Sequence, residues 1–362
     1  MQGKTNSKEL MSALQTAAAA LSTAGREGTP QYVKLVLKDN ALTIISSLPY
    51  VGTRSVLAAE CEVPGETIIP VNCPSEALKF VPADDDVIIR TADGRTNIIS
   101  ESCGMIMSFH DALYDIPEPP VMPENALTLP SGFRKSITQC FKGIPVNDSR
   151  EMLKGLRLDH DGSRLTAVVT NGKMMVYASA EAQAPAMPPV TLPQSAEKPF
   201  RALPESDSLS YATDGKWIRF RSGNTVLSVL AKAEEFPAWQ KIIPAGYTMS
   251  FRPEFPKFGK GIKLAMQATE YKKTGNSKVR LRLSGDNGIV LSAKNDDGGS
   301  KAVAGTEIEG DDIEILINGS LVLKVLSIMD EKTIAFQYKA PNLPIIGEDG
   351  NGMRCLIMPM RA

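Results

Sequence analysis

Cysteine is scarce in this chain. Its five residues, Cys61, Cys73, Cys103, Cys140 and Cys355, are scattered, odd in number and never spaced as CxxC. That pattern speaks against a disulfide framework and a thiolate metal cluster, and predicts buried free thiols. There are only two histidines, His110 and His160, far apart in sequence. His160 falls in an Asp159–Gly162 turn and is expected at the surface. No GxSxG elbow, Walker loop, GxGxxG or HExxH is present, and Gly259-Lys260-Gly261 is too short a match to weigh. The acidic runs Asp84–Asp86 and Asn295-Asp296-Asp297 read as turns. The expectation is therefore no catalytic residue, no metal, no cofactor and no enzyme. No apolar run is long enough to cross a bilayer, and Met1–Asn6 lacks the apolar core of a signal peptide, so a cytoplasmic protein is expected. A basic excess is missing too. The net charge of −1 counts against a nucleic-acid binder unless the charges are segregated onto different faces.

What the chain does have is repetition. Its 362 residues suggest two or three domains, and one pattern recurs with a period of roughly 120 residues. Strand, short apolar helix, acidic turn and strand follow one another three times. The first copy runs Thr67–Pro70, Pro74–Val81, Ala83–Asp86 and Val87–Arg90. The second runs Pro188–Leu192, Gln194–Leu203, Glu205–Asp207 and Leu209–Ala212. The third runs Ile313–Ile317, Ser320–Ile328, Met329–Lys332 and Thr333–Tyr338. Proline-rich breaks at Pro117–Pro130 and Pro244–Pro256 separate the units, giving domains 1–122, 123–246 and 247–362.

Each unit opens with an amphipathic helix. The first spans about Ser7 to Thr23, with Asn6 and Glu9 as a capping box, Gly25 as a stop, and Leu10, Leu14, Ala17 and Leu21 on one face. The second spans about Ser131 to Gly143. It sets Phe133, Ile137, Cys140 and Phe141 opposite Lys135, Gln139 and Lys142. The third spans about Phe255 to Tyr271. It sets Phe258, Ile262, Ala265 and Thr269 against a stripe of Lys257, Lys260, Lys263 and Gln267, half a turn away. A lysine stripe on one helix is ordinarily a solvated face; two helices carrying one at equivalent positions favour a shared anionic partner.

Alternating strands joined by hairpin turns at Lys38-Asp39-Asn40, Asp161-Gly162 and Gly285-Asp286-Asn287 predict antiparallel sheets. A module of about 120 residues is roughly 35 Å across, and six such spheres in a ring would enclose a hole of about that width. Three modules make half of that ring, so two copies would close it with two-fold symmetry. The fold class expected is α+β: three similar modules, with antiparallel sheets outside and helices lining a ring.

The chain ends in Leu356, Ile357, Met358, Pro359, Met360 and Arg361 before Ala362, where polar, frayed residues are usual. Arg354–Ile357 fits a closing strand, while a flexible methionine-rich surface after it suits docking of several partners. This ending resembles that of bacterial DNA polymerase III beta subunits, the DNA sliding clamps. So do Ser149–Gly155, Val169–Met175, Phe236–Pro244 and Leu321–Leu326; the first unit matches by pattern alone.

The resemblance implies a homodimeric, non-enzymatic processivity factor. It would encircle double-stranded DNA without sequence specificity and tether polymerase, clamp-loader and other replication or repair proteins through short linear motifs. By motif position the partner-peptide cleft would use Leu153, Thr170, Gly172, Met175, Pro244, Leu356, Met358, Pro359, Met360 and Arg361. Asn171, Lys173 and Met174 stand where family members have an acidic residue, a histidine and an arginine. Glu151 and Met152 replace the aromatics of a DNA-touching loop. Candidate phosphate contacts are Arg26 and Arg150, by family position, and Lys79, Lys135, Lys142, Lys198, Arg201, Lys257, Lys260 and Lys263, by helix periodicity. The dimer interface implied would pair the strand near Gly104–Phe109, with Met105 and Met107, against the third unit near Tyr271. Asn171-Gly172 reads as a type I′ turn. The competing readings are a repeat scaffold that binds peptides but no DNA, which neutral net charge suits, and a hydrolytic enzyme with an unrecognised site.

Overall fold

The computed structural model describes residues 1–24, 31–112, 115–268, 277–294 and 298–361. The chain divides into two compact units. One comprises Met1–Arg134, Asp159–Leu165 and Ala180–Ala233; the other comprises Lys135–Leu158, Thr166–Ser179 and Glu234–Ala362.

The first unit is built on an antiparallel sheet. Its order runs from the edge strand Met105–His110 through Arg95–Ser100, Asp86–Ala92, Gln2–Asn6, Val51–Val63, Thr225–Leu230, Trp217–Ser222 and Ser208–Thr213 to Leu127–Pro130. Tyr32–Lys38, Ala41–Leu48 and Gly65–Pro70 branch from it. The period of two is visible in burial: Val33, Leu35 and Leu37 point into the core while their neighbours do not. Asp39 and Asn40 both take positive φ, 52° and 55°, as a type I′ hairpin turn requires.

Helix α1 (Ser7–Leu21) starts where the Asn6 side chain accepts hydrogen bonds from the Lys8 and Glu9 amides, at 3.1 and 3.2 Å. Leu10, Leu14, Ala17 and Leu21 are all buried. The recurring short helices are α2 (Asn72–Ala77) and α4 (Glu197–Arg201). Thr16 on α1 donates to the Ala202 carbonyl just past α4, at 2.6 Å. Helix α3 (Ser131–Phe141) buries Phe133, Ile137, Cys140 and Phe141, as its pattern predicts.

In the second unit Met174–Glu181 pairs with Met353–Ile357, and the sheet continues through Ile345–Glu348, Ala335–Tyr338 and Met249–Arg252 to Glu307–Glu309. A four-stranded sheet is ordered Gly299–Val303, Gly288–Lys294, Lys278–Ser284, Ile313–Asn318. Helix α5 (Lys257–Ala268) lays Phe258, Ile262 and Ala265 on it. A Cβ at Gly261 would stand 2.8 Å from Leu291, so the glycine sets how closely helix and sheet approach. Helix α6 (Gly319–Ile328) is capped by Asn318, whose side chain accepts from the Leu321 amide at 3.1 Å. Thr269, Gly25 and Asn295–Asp297 lie outside the described residues.

His160 is not at the surface. It is 6% exposed, with Nε2 2.8 Å from the Ala182 carbonyl. The strand Gly155–His160 extends through it, so the turn begins at Asp161, two residues later than the sequence suggests. Cys140 and Cys355 are fully buried thiols, and burial pushes both up to about 12. Among the described residues no helix is long and apolar enough to cross a membrane, and no group of three or more acidic, histidine or cysteine side chains could hold a metal.

Candidate peptide-binding trough and DNA-facing cations

The C-terminal strand Met353–Ile357 closes the sheet against Met174–Glu181, with Met174 opposite Ile357 and Met175 opposite Leu356. The ladder runs one step further, because the Met358 amide donates to the Lys173 carbonyl at 2.9 Å. The chain then leaves the sheet, and the Met360 amide donates to the Leu316 carbonyl at 2.7 Å.

Beneath this tail lies a compact apolar cluster of Val168, Met175, Tyr177, Phe236, Trp239 and Leu356, with Ile243 packed against it. The Tyr177 and Trp239 rings stand 5.7 Å apart, and the Arg157 guanidinium lies 5.9 Å from the Phe236 ring centre. Burial raises the Tyr177 hydroxyl above its ordinary value. The strand alternation that turns Met175 and Tyr177 to one side also lets the segment Phe236–Ile243 cover them.

The ten expected cleft residues therefore split into two tiers. Leu153, Thr170, Met175 and Leu356 are buried support. Pro244, Pro359 and Met360 are half-buried, and Gly172, Met358 and Arg361 are exposed. Met174, one of the three positions at which this segment departs from the family pattern, is buried. Val168, Tyr177, Phe236 and Trp239 are the members that motif position did not single out. The alternation of Val168 and Tyr177 and the two aromatics within Phe236–Pro244 were the available signals.

The Asn171-Gly172 turn differs from the type I′ form expected. Gly172 has φ 77°, but Asn171 does not take a positive φ. Instead the Asn171 side chain accepts from the Lys173 and Met174 amides, at 3.0 and 2.8 Å.

Arg150 is partnered within the chain. It grips Asp148 at 2.9 and 2.7 Å through Nε and Nη2, and Nη2 also donates to the Asn171 carbonyl at 2.8 Å. Those hydrogen bonds from Arg150 hold the Asp148 carboxyl well below the usual carboxylate range. A Cβ on Gly172 would come within 3.0 Å of Arg150 Nη1. Arg150 is thus tied to Asp148 and to the Asn171-Gly172 turn.

The other cations divide by partner. Lys79 pairs with Glu76, Arg201 with Glu197 and Lys257 with Glu254, all as exposed pairs of little strength. Lys135, Lys142, Lys198, Lys260 and Lys263 form no ion pair with a described residue, and all five are exposed. On α5 the side chains of Lys257, Lys260, Lys263 and Gln267 are exposed, with Leu264, 49% exposed, among them. Lys198 and Arg201 meet the end of α1 in a groove of about 590 Å³ that also includes Ser22, Thr23 and Gln194. Arg26 and Tyr271 lie outside the described residues.

Met105–His110 is an edge strand, as expected. Its register points Met107 into the module's own core, while Met105 is half-buried against it. Ile106, 67% exposed, faces out instead. Phe80 is 84% exposed, and its carbonyl lies 3.8 Å from Cys103 Sγ in the turn that precedes the strand.

Three sheets, helices recurring in each third of the chain and an apolar cluster against the C-terminal strand make up the architecture. No family model matches the chain. It is 23% identical to the beta sliding clamp of Streptomyces coelicolor, with 95% of each chain aligned, and 24% identical to that of Pseudomonas aeruginosa, with 91% of each aligned. Among solved structures, the DNA polymerase beta subunit of Streptococcus pyogenes superposes with a TM-score of 0.84 at 17% identity, covering 100% of both chains. The Helicobacter pylori beta clamp bound to a DNA ligase peptide does so at 0.78 and 18%, also over 100% of both chains. From end to end the chain has the fold of the bacterial DNA polymerase III beta subunit, the beta sliding clamp.

Proposed function

We propose that this protein is a DNA sliding clamp. Two copies close a ring around duplex DNA in the cytoplasm and carry replication and repair proteins by their short linear motifs. It performs no catalysis itself. The likeness of fold over the whole chain is the observation that carries this reading, and the sequence similarity to curated beta clamps supports it. The modules are 1–122, 123–246 and 247–362. They are supported by the recurrence of a longer helix (α1, α3, α5) followed by a short one (α2, α4, α6) in each third.

DNA is held through phosphates and without register. Lys135, Lys142, Lys198, Lys260 and Lys263, exposed and unpaired by described carboxylates, make the main contacts, with Lys79, Arg201 and Lys257 contributing from weak surface pairs. Arg150 leaves this set and joins the peptide site. There Met358, Pro359, Met360 and Pro244 offer apolar surface to an extended peptide, at about 1.5–3 kcal/mol for each well-buried anchor. A few such anchors reach the roughly −8 kcal/mol of micromolar binding. Ring closure uses the Met105–His110 edge, with Ile106 and Phe80, rather than Met107, as the apolar contacts.

The mass in solution tests the ring: twice 39.0 kDa is expected. A monomer at micromolar concentration would remove the closed ring and with it the proposed function.

A further inference from the structure

The strand Ile313–Asn318 is the end strand of its sheet, bonded on one side to Lys278–Ser284. In an antiparallel ladder the N–H and C=O of one residue point to the same side, and that side alternates along the strand. Leu316 gives its carbonyl to the Met360 amide of the C-terminal tail, so the Leu316 amide also points away from the sheet, as do both groups of Glu314. No described residue accepts from either amide. The Glu314 side chain is engaged elsewhere, 3.0 Å from Arg280 on the neighbouring strand. Glu314 is exposed and Leu316 half-buried. The tail has thus made one bond of a ladder and left the next rungs open, beside the half-buried Pro359 and Met360.

We propose that a bound partner peptide is read through its backbone as well as its side chains: it adds as a strand to the Glu314–Leu316 edge while its apolar side chains enter the trough. This rests on the peptide-site reading above. The occupant is an extended segment with apolar residues on one face and a free amide backbone on the other; a helix would leave the edge unpaired. The Leu316 amide donates to a peptide carbonyl, and Glu314 exchanges a donor and an acceptor with the residue two further along.

The test uses the full-length protein and a DNA ligase peptide of the kind carried by the Helicobacter pylori clamp. Amide hydrogen exchange is followed across residues 312–318 with and without saturating peptide. Exchange at Glu314 and Leu316 should slow at least about tenfold, and Leu316→Pro, which removes the outward-facing donor together with the leucine side chain, should weaken binding by about tenfold. Peptide binding with unchanged exchange at both amides overturns the strand addition and leaves the trough standing. Loss of all peptide binding by the unaltered protein overturns both. If Leu316→Pro unfolds, the exchange measurement on the unaltered chain still decides.

Discussion

The molecule contains two versions of one junction. In the first unit Val51–Val63 pairs with Thr225–Leu230, and the ladder is extended by the Leu230 amide donating to the Tyr50 carbonyl at 2.8 Å. In the second, Met174–Glu181 pairs with Met353–Ile357, and the Met358 amide extends it to Lys173. The backbones match; the side chains do not. The first junction is polar and filled. Ser55 and Thr225 share a hydrogen bond of 2.8 Å, Ser228 donates to the Pro120 carbonyl at 2.7 Å, and Pro119 presses on Gly52 so closely that a Cβ there would be 2.6 Å away. The second is apolar, floored by Met175, Tyr177, Trp239 and Leu356, and ends in partly exposed methionines. A common ladder joins strands in both. In the second, Met358 and Met360 stay partly exposed beside the apolar cluster.

Four tests, two of them paired with a control substitution, bear on that contrast. Trp239→Ala should have the largest effect, about 3–5 kcal/mol of stability in denaturant unfolding, because it empties the floor of the second junction. Ser228→Ala at the first junction should cost only about 1 kcal/mol. Equal losses at the two sites would erase the distinction. Next, removing Met358–Arg361 should weaken peptide binding at least about tenfold in calorimetry while mass and unfolding midpoint hold, since the closing strand stops at Ile357. Loss of folding instead would make the tail a structural strap.

Third, Lys260→Ala with Lys263→Ala should lower the slope of DNA affinity against salt by about 2, whereas Arg150→Ala should leave it unchanged and affect peptide binding. An Arg150 slope effect would return that residue to the DNA surface. The smallest change is Gly172→Ala. It should cost about 1 kcal/mol of stability, from positive φ and the nearby Arg150 guanidinium, and loosen peptide affinity with it.

Much of the architecture was legible because it is local. The Asn6 cap, the apolar stripes of α1, α3 and α5, and the Asp39-Asn40 turn each depend on residues a few positions apart. The closing strand and the exposed tail could both be read from the last nine residues. What was hidden depends on distant partners. His160 is buried because Ala182 supplies an acceptor. Arg150 is occupied because Asp148 and the Asn171 carbonyl receive it, and a family position cannot show that. Period two places Met107 and Ile106 on opposite faces, but only the core decides which face is inward. Trp239 and Phe236 were visible as aromatics in a matched segment, yet their role as the trough's floor needs Tyr177 and Leu356 brought beneath them.

Retention on DNA of different topology tests the account most directly. The protein is loaded onto nicked circular DNA, washed at a salt concentration that strips electrostatic binders, and the circle is then cut. Protein should stay on the circle through the wash and be lost once the DNA has ends. Equal retention on circular and linear DNA, or loss from both in the wash, would contradict it.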